Sequence, residues 1–289
     1  MFPSQAVLGT NRATREGVYL DFYGLTDPPF DITPNPRFLF YSGRHREAYN
    51  HLMYGIRERK GFVQLTGEVG AGKTTLCRAM LEQLDNKHFA TALILNPVMS
   101  PDELMKAIAI EFGLPVNGLD RLEILSVINH FLLHQYEDGK ETVLIIDEAQ
   151  DLTEDLLEQV RLLSNLETDD RKLLQIVLLG QPELRDRLNN HRLRQLRQRI
   201  TVRYHLAPLS RQEVAQYVQH RLHVSGGNGT PSFSRMALWR IYRYSKGIPR
   251  LINALCDKSL LAGFVQQRLQ IDFSMVGRAI RELEGRIPA

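Results

Sequence analysis

The sequence predicts an α/β fold, a parallel sheet covered by helices on both faces, followed by a small all-α domain. Three observations carry this. Residues 67–74, Gly67-Glu68-Val69-Gly70-Ala71-Gly72-Lys73-Thr74, fit G-x-x-x-x-G-K-[ST], a phosphate-binding loop. They lie between a short apolar run at 61–66 and a helix-like stretch at 75–81, with apolar residues at 76, 77, 80 and 81. Beyond the loop, strand-like and helix-like segments alternate as far as residue 206, the pattern of a sheet buried on both sides. After Ala207-Pro208-Leu209-Ser210 only helical periodicity is expected.

In chain order, residues 1–18 read as a mobile tail, polar and without periodicity. From Tyr19 to Tyr41, prolines exclude regular helix and the aromatics imply an extended strap on an apolar surface. A helix at 43–59 places Ala48, Leu52, Met53 and Ile56 on one face. After the loop come a strand at 90–95, a helix at 101–112 capped by Ser100, and a helix at 122–136. Strands follow at 142–148, 173–180 and 200–206, with a helix at 151–166. Helices are expected at 210–224, 232–245, 249–266 and 272–284, with Ser232 and Asp272 as N-caps and a Gly-rich turn at 226–229. The division is therefore a tail (1–18), an α/β nucleotide-binding domain with its strap (19–207) and a helical lid (208–289).

The loop chemistry is specific. Its glycines let successive N–H groups face the phosphates, and the following helix adds its dipole. Lys73 supplies a point charge, the Thr74 hydroxyl a ligand for Mg²⁺, and Gly67 to Thr75 together the nucleotide contacts. The strand Thr142-Val143-Leu144-Ile145-Ile146 ends in Asp147-Glu148, a Walker B pattern. In a parallel sheet the carboxyl ends of strands face the ligand crevice. Asp147 would join the Mg²⁺ shell and Glu148 would activate water for hydrolysis of ATP. Gln181, leaving the next strand, suits a contact to the γ-phosphate or the attacking water, and equally a turn residue before Pro182.

Arg185, Arg187, Arg192, Arg194, Arg197, Arg199 and Arg203 crowd the approach to the last strand. Arg199, with Arg197 as second choice, suits an arginine offered to a neighbouring subunit's nucleotide. The same residues also suit a solvated basic face or DNA phosphate contacts. Arg250, at the start of the third lid helix, suits a sensor of the bound phosphates or a plain surface arginine.

Composition excludes several classes. With 43% hydrophobic and 24% charged residues, the chain of 289 is an ordinary globular one, long enough for two cores. A net charge of +3 does not by itself imply nucleic acid. Cys77 and Cys256 read as reduced core residues and the protein as cytoplasmic. No signal-peptide pattern and no run near 18 apolar residues occurs, so no membrane crossing is expected. His130 with His134, and His220 with His223, have helical spacings but no third ligand and read as helix surface; Trp239 reads as lid packing.

Taken together, the phosphate loop, Asp-Glu strand, arginine-bearing segment and Gly247-Ile248-Pro249-Arg250 resemble the AAA+ ATPases. More narrowly, Tyr23-Gly24-Leu25, Pro29-Phe30, Thr33-Pro34-Asn35-Pro36-Arg37, Asp147-Glu148-Ala149-Gln150 and Gly180-Gln181-Pro182-Glu183-Leu184 resemble the ExeA/GspA secretion ATPases, which include MshM-like proteins of MSHA pilus biogenesis. The resemblance implies a five-stranded sheet of order 5-1-4-3-2, a helical lid, and ATP sites completed between subunits of a homo-oligomeric ring or filament. It implies pilus or secretion proteins at the inner membrane as partners, with the chain peripheral to that membrane. ExeA-like proteins continue into a membrane helix and a peptidoglycan-binding part, whereas this sequence is expected to end after the lid, as MshM-like ones do. The alternative is a DNA-bound regulator of the TnsC/TniB transposition type.

Overall fold

The computed structural model describes residues 18–168 and 171–286; of the expected tail, residues 1–17 lie outside them. The chain forms two compact units. One holds Thr33–Leu209 and Ile248–Arg250; the other holds 18–32, Ser210–Gly247 and 251–286.

In chain order the elements begin with α1 (Leu20–Tyr23), α2 (Gly43–Arg57), β1 (Phe62–Gly67), α3 (Lys73–Leu81) and β2 (Phe89–Ile94). Next are α4 (Pro101–Glu111), α5 (Arg121–Glu137), β3 (Glu141–Ile146), α6 (Glu154–Leu163) and β4 (Leu174–Gly180). Then come α7 (Pro182–Leu188), α8 (Arg194–Arg199) and β5 (Ile200–Leu206). Last are α9 (Arg211–Val224), β6 (Ser232–Phe233), α10 (Arg235–Ser245), α11 (Pro249–Val265), β7 (Gln270–Ile271) and α12 (Phe273–Leu283).

The five strands β1–β5 pair in the order β2-β3-β4-β1-β5, all parallel, the expected order read from the other edge. The two-residue period of a strand splits the apolar runs between two cores. Leu144, Ile146, Ile176 and Leu178 face α4, α5, α6 and α7 in one cluster. Val143, Ile145, Val177 and Leu179 face α2 and α3 in the other. Both faces are thus covered, and β4 is buried at every position. Helix starts follow the capping logic of the sequence: Ser100 with Glu103, Asp120 with Glu123, and Ser210 with Glu213 each form a reciprocal capping box.

The packing of α2 on β1 is tight at one point. A methyl group added to Gly55 would sit 2.2 Å from Val63 Cγ2, in a strand buried at every position. Gly55→Ala should therefore destabilise the fold by about 1–3 kcal/mol, the usual range for an overpacked core. Chemical denaturation would read this, and an unchanged midpoint would show that β1 can shift.

Four expectations need correction. The strap expected to exclude regular helix opens on one helical turn, α1, ahead of its first proline. The helix expected at 151–166 starts only at Glu154, because Thr153 caps it and a 3-10 turn, Ala149–Asp151, precedes it. Ser232 is not an N-cap; it lies in β6, which pairs in parallel with β7, and Ser234 caps α10 instead. The helical unit therefore contains a short strand pair. Finally, residues 18–32 of the strap belong with the helical unit rather than the α/β domain. The Tyr19 hydroxyl donates to Asp257, and the Tyr23 hydroxyl to the carbonyls of Leu260 at 2.9 Å and Arg268 at 3.2 Å. The Arg221 guanidinium binds the carbonyls of Pro29 and Asp31. Aromatic hydroxyls and one buried arginine decide the matter across more than 180 residues of chain, which no local pattern reports.

Cys77 and Cys256 are both free and buried. Among the described residues no helix is long and apolar enough to cross a membrane. Trp239, on α10, stacks on Phe273 with centroids 6.4 Å apart.

Candidate nucleotide-binding site

The phosphate loop links the carboxyl end of β1 to the amino end of α3. Two of its residues must be glycine. Gly70 has φ +76° and Gly72 φ +99°, both left-handed, and a methyl group on Gly70 would lie 2.4 Å from Arg250 Cβ. Helix α3 begins without a side-chain cap, so its first N–H groups are left for an anion. Ala71 is buried, Val69 is half exposed at 50%, and Glu68 is exposed. Thr75 lies partly buried on α3 beside Thr74.

Lys73 is 5% exposed, and its ammonium donates to the carbonyls of Gly67 at 2.8 Å and Glu68 at 3.2 Å. Burial pulls the Lys73 ammonium below the usual lysine range, while Glu148, Asp147, Glu68 and Glu183 act against that. The Thr74 hydroxyl donates to Asp147 Oδ2 at 2.6 Å. A hydroxyl beside a carboxylate is the hard oxygen set that Mg²⁺ selects. Glycines in left-handed backbone, a buried ammonium and this oxygen pair together fit a nucleoside triphosphate with Mg²⁺.

Glu148 is the second residue past β3, in left-handed backbone with φ 50°. Its Oε2 accepts from Gln150 Nε2 at 2.7 Å and from Gln181 Nε2 at 3.3 Å. Gln150 Oε1 in turn accepts from the Gln181 backbone N–H at 3.0 Å. Gln181, at the exit of β4, therefore turns its side chain onto the same carboxylate. Gln150 was not assigned a site role. It stands in the Asp147-Glu148-Ala149-Gln150 motif, but a strand exit gives no hint of which amide folds back.

Arg250 donates its backbone N–H to the Gly70 carbonyl at 3.2 Å, and its side chain is exposed. Arg199 and Arg197 are elsewhere. They close α8 just before β5, at the amino ends of the strands and so at the opposite end of the sheet from Lys73. Arg199 Nη1 donates to Ser164 Oγ at 2.6 Å, and Arg197 Nη1 to Asn189 Oδ1 at 3.5 Å. Neither reaches the loop of its own chain. A second unforeseen residue, His45, lies buried beneath the loop against the Ala71 carbonyl at 3.1 Å. It shares the helical stripe of Ala48, Leu52 and Ile56, where a histidine stands out among apolar residues. Among the described residues no group of His, Cys, Asp and Glu has the geometry of a metal site.

Residues 56–188 match a family model described as an AAA domain. General secretion pathway protein A of Aeromonas hydrophila is 49% identical over 269 residues, covering 93% of this chain and 49% of that protein. The chain thus spans about half the length of that relative. Among solved structures, Drosophila ORC bound to DNA aligns with 98% of the chain and 71% of its own, at TM-score 0.70 and 17% identity. The Aeropyrum pernix ORC2 protein in ADPNP-ADP complexes aligns with 90% of the chain and 72% of its own, at TM-score 0.64 and 16% identity. At such identities these structures speak for the fold, and they place the five-stranded sheet among AAA+ proteins. The chain is a P-loop protein of AAA+ fold, ExeA/GspA-like over 93% of its length.

Proposed function

We propose that the chain is a Mg²⁺-dependent ATPase that converts ATP to ADP and phosphate. It works as a homo-oligomer, a ring or filament with nucleotide between subunits. The observation that carries this reading is the meeting of Lys73, the Thr74–Asp147 pair and Glu148 at the carboxyl ends of β1 and β3.

Each residue has a part. The loop N–H groups and Lys73 bind the phosphates, and Thr74 and Asp147 would hold the metal. The ion held by Thr74 and Asp147 would supply positive charge against the charge that develops on the phosphates. Glu148 takes the proton of the attacking water, with Gln150 and Gln181 aiming its carboxylate. Arg250 reads the phosphates in cis, and Arg199, or failing it Arg197, reads them in trans.

The name of the Aeromonas relative supports work with a secretion system. The chain serves as an accessory ATPase of pilus or secretion-system assembly, cytoplasmic and peripheral to the inner membrane. A second reading, a DNA-bound regulator of TnsC/TniB type, is favoured by the exposed Arg185, Arg192, Arg194 and Arg203 and by the DNA-bound ORC structure.

Phosphate release should need Mg²⁺ and stop on chelation. Its rate per chain should rise with protein concentration as subunits meet. Turnover that ignores a chelator removes Thr74 and Asp147 from the metal role, and a flat concentration dependence with a monomer by light scattering removes the oligomer. ATP-dependent coating of duplex DNA, seen by electron microscopy, would replace the secretion reading with the second one.

A further inference from the structure

Ser42 caps helix α2; its Oγ accepts the His45 backbone N–H at 3.2 Å and meets His45 Nδ1 at 2.8 Å. The other ring nitrogen, Nε2, lies 3.1 Å from the Ala71 carbonyl oxygen. Ser42, His45 and Ala71 are 3%, 4% and 1% exposed. A carbonyl only accepts, so Nε2 carries a proton in this contact.

The consequence lies in the next peptide unit. In a trans peptide the C=O of one residue and the N–H of the next point in opposite directions. Holding the Ala71 carbonyl inward against His45 turns the Gly72 N–H outward, to the anion side of the loop. The ring also sets what can follow: a methyl group on Gly72 would stand 3.2 Å from His45 Nε2. We propose that His45 is a positioning residue for nucleotide binding, fixing the Ala71–Gly72 peptide so that its N–H faces the phosphates. This rests on the nucleotide reading above and adds to it a residue outside the loop motif.

The test compares His45→Phe, which keeps the ring volume and loses the donor, with His45→Gln, whose amide reaches a similar point and restores one. Titration calorimetry with ADP and with ATP should show the phenylalanine variant weaker by about 10–100-fold, the loss expected for one donor to a charged group. The glutamine variant should stay within about 5-fold of wild type. Under turnover, KM should rise far more than kcat falls, since the residue orders the binding loop and touches no reacting atom. Should the phenylalanine variant fail to fold, His45→Asn, with an amide one bond too short, should show the same loss. Equal affinity in His45→Phe and wild type would overturn the proposal, as would equal losses in the phenylalanine and glutamine variants. A wild-type chain that binds neither nucleotide would instead sink the nucleotide reading itself.

Discussion

Glu148→Gln should bind ATP as tightly as wild type and hydrolyse it about 10²–10⁴-fold more slowly, the usual worth of a positioned general base. The amide is nearly isosteric, so the bonds to the loop and the Thr74–Asp147 pair stay as they are. What is lost is the acceptor for the proton of water. The change also alters the local pairing. Glu148 Oε2 accepts from two amides, those of Gln150 and Gln181. A glutamine at 148 can still accept through its one carbonyl oxygen, so a gross rearrangement is not expected. Single-turnover phosphate release and nucleotide titration on the same preparation separate the two effects. Turnover retained at the wild-type rate would move the base elsewhere.

Arg199→Ala should leave nucleotide binding by a single chain intact and lower turnover in the assembly by about 10³–10⁵-fold, the range for an arginine supplied in trans. Its position explains the asymmetry. The guanidinium lies at the amino end of β5, bonded to Ser164 of its own chain, and has no part in that chain's loop. Leaving Ser164 costs a charge-assisted hydrogen bond of about 1.5–3 kcal/mol, less than the transition-state gain. A mixing experiment decides it. Glu148→Gln chains retain Arg199, and Arg199→Ala chains retain Glu148, so mixed assemblies should recover part of the activity that either lacks alone. An inactive mixture would refute the trans role, and an active Arg199→Ala beside an inactive Arg197→Ala would transfer it two residues back.

Much of the site was legible because its chemistry is local in sequence. The glycines, Lys73 and Thr74 adjoin, and Asp147 and Glu148 end an apolar strand whose direction a parallel sheet imposes. The continuous apolar runs of β3 and β4 announced a sheet covered on both faces, which the two cores bear out. What stayed hidden depends on contacts between distant segments. His45 and Ala71 are 26 residues apart, and Gln150 and Gln181 are 31 apart. A buried histidine or a folded-back amide looks in sequence like any helix or turn residue. The strap went to the wrong unit for the same reason, since the hydroxyls of Tyr19 and Tyr23 find partners more than 230 residues on. Strands of two residues, β6 and β7, are too short for any period to register.

The backbone at Glu148 has a practical consequence for anyone engineering this chain. A side chain at φ 50° costs about 1 kcal/mol or more relative to glycine, and only the surrounding structure holds it there. A screen that rewards heat resistance alone would accept glycine or asparagine at 148, since both tolerate that conformation better. Its winners would be sturdier and inert. Position 148 has to be fixed in advance in any such library, because there durability and turnover pull the choice of residue in opposite directions.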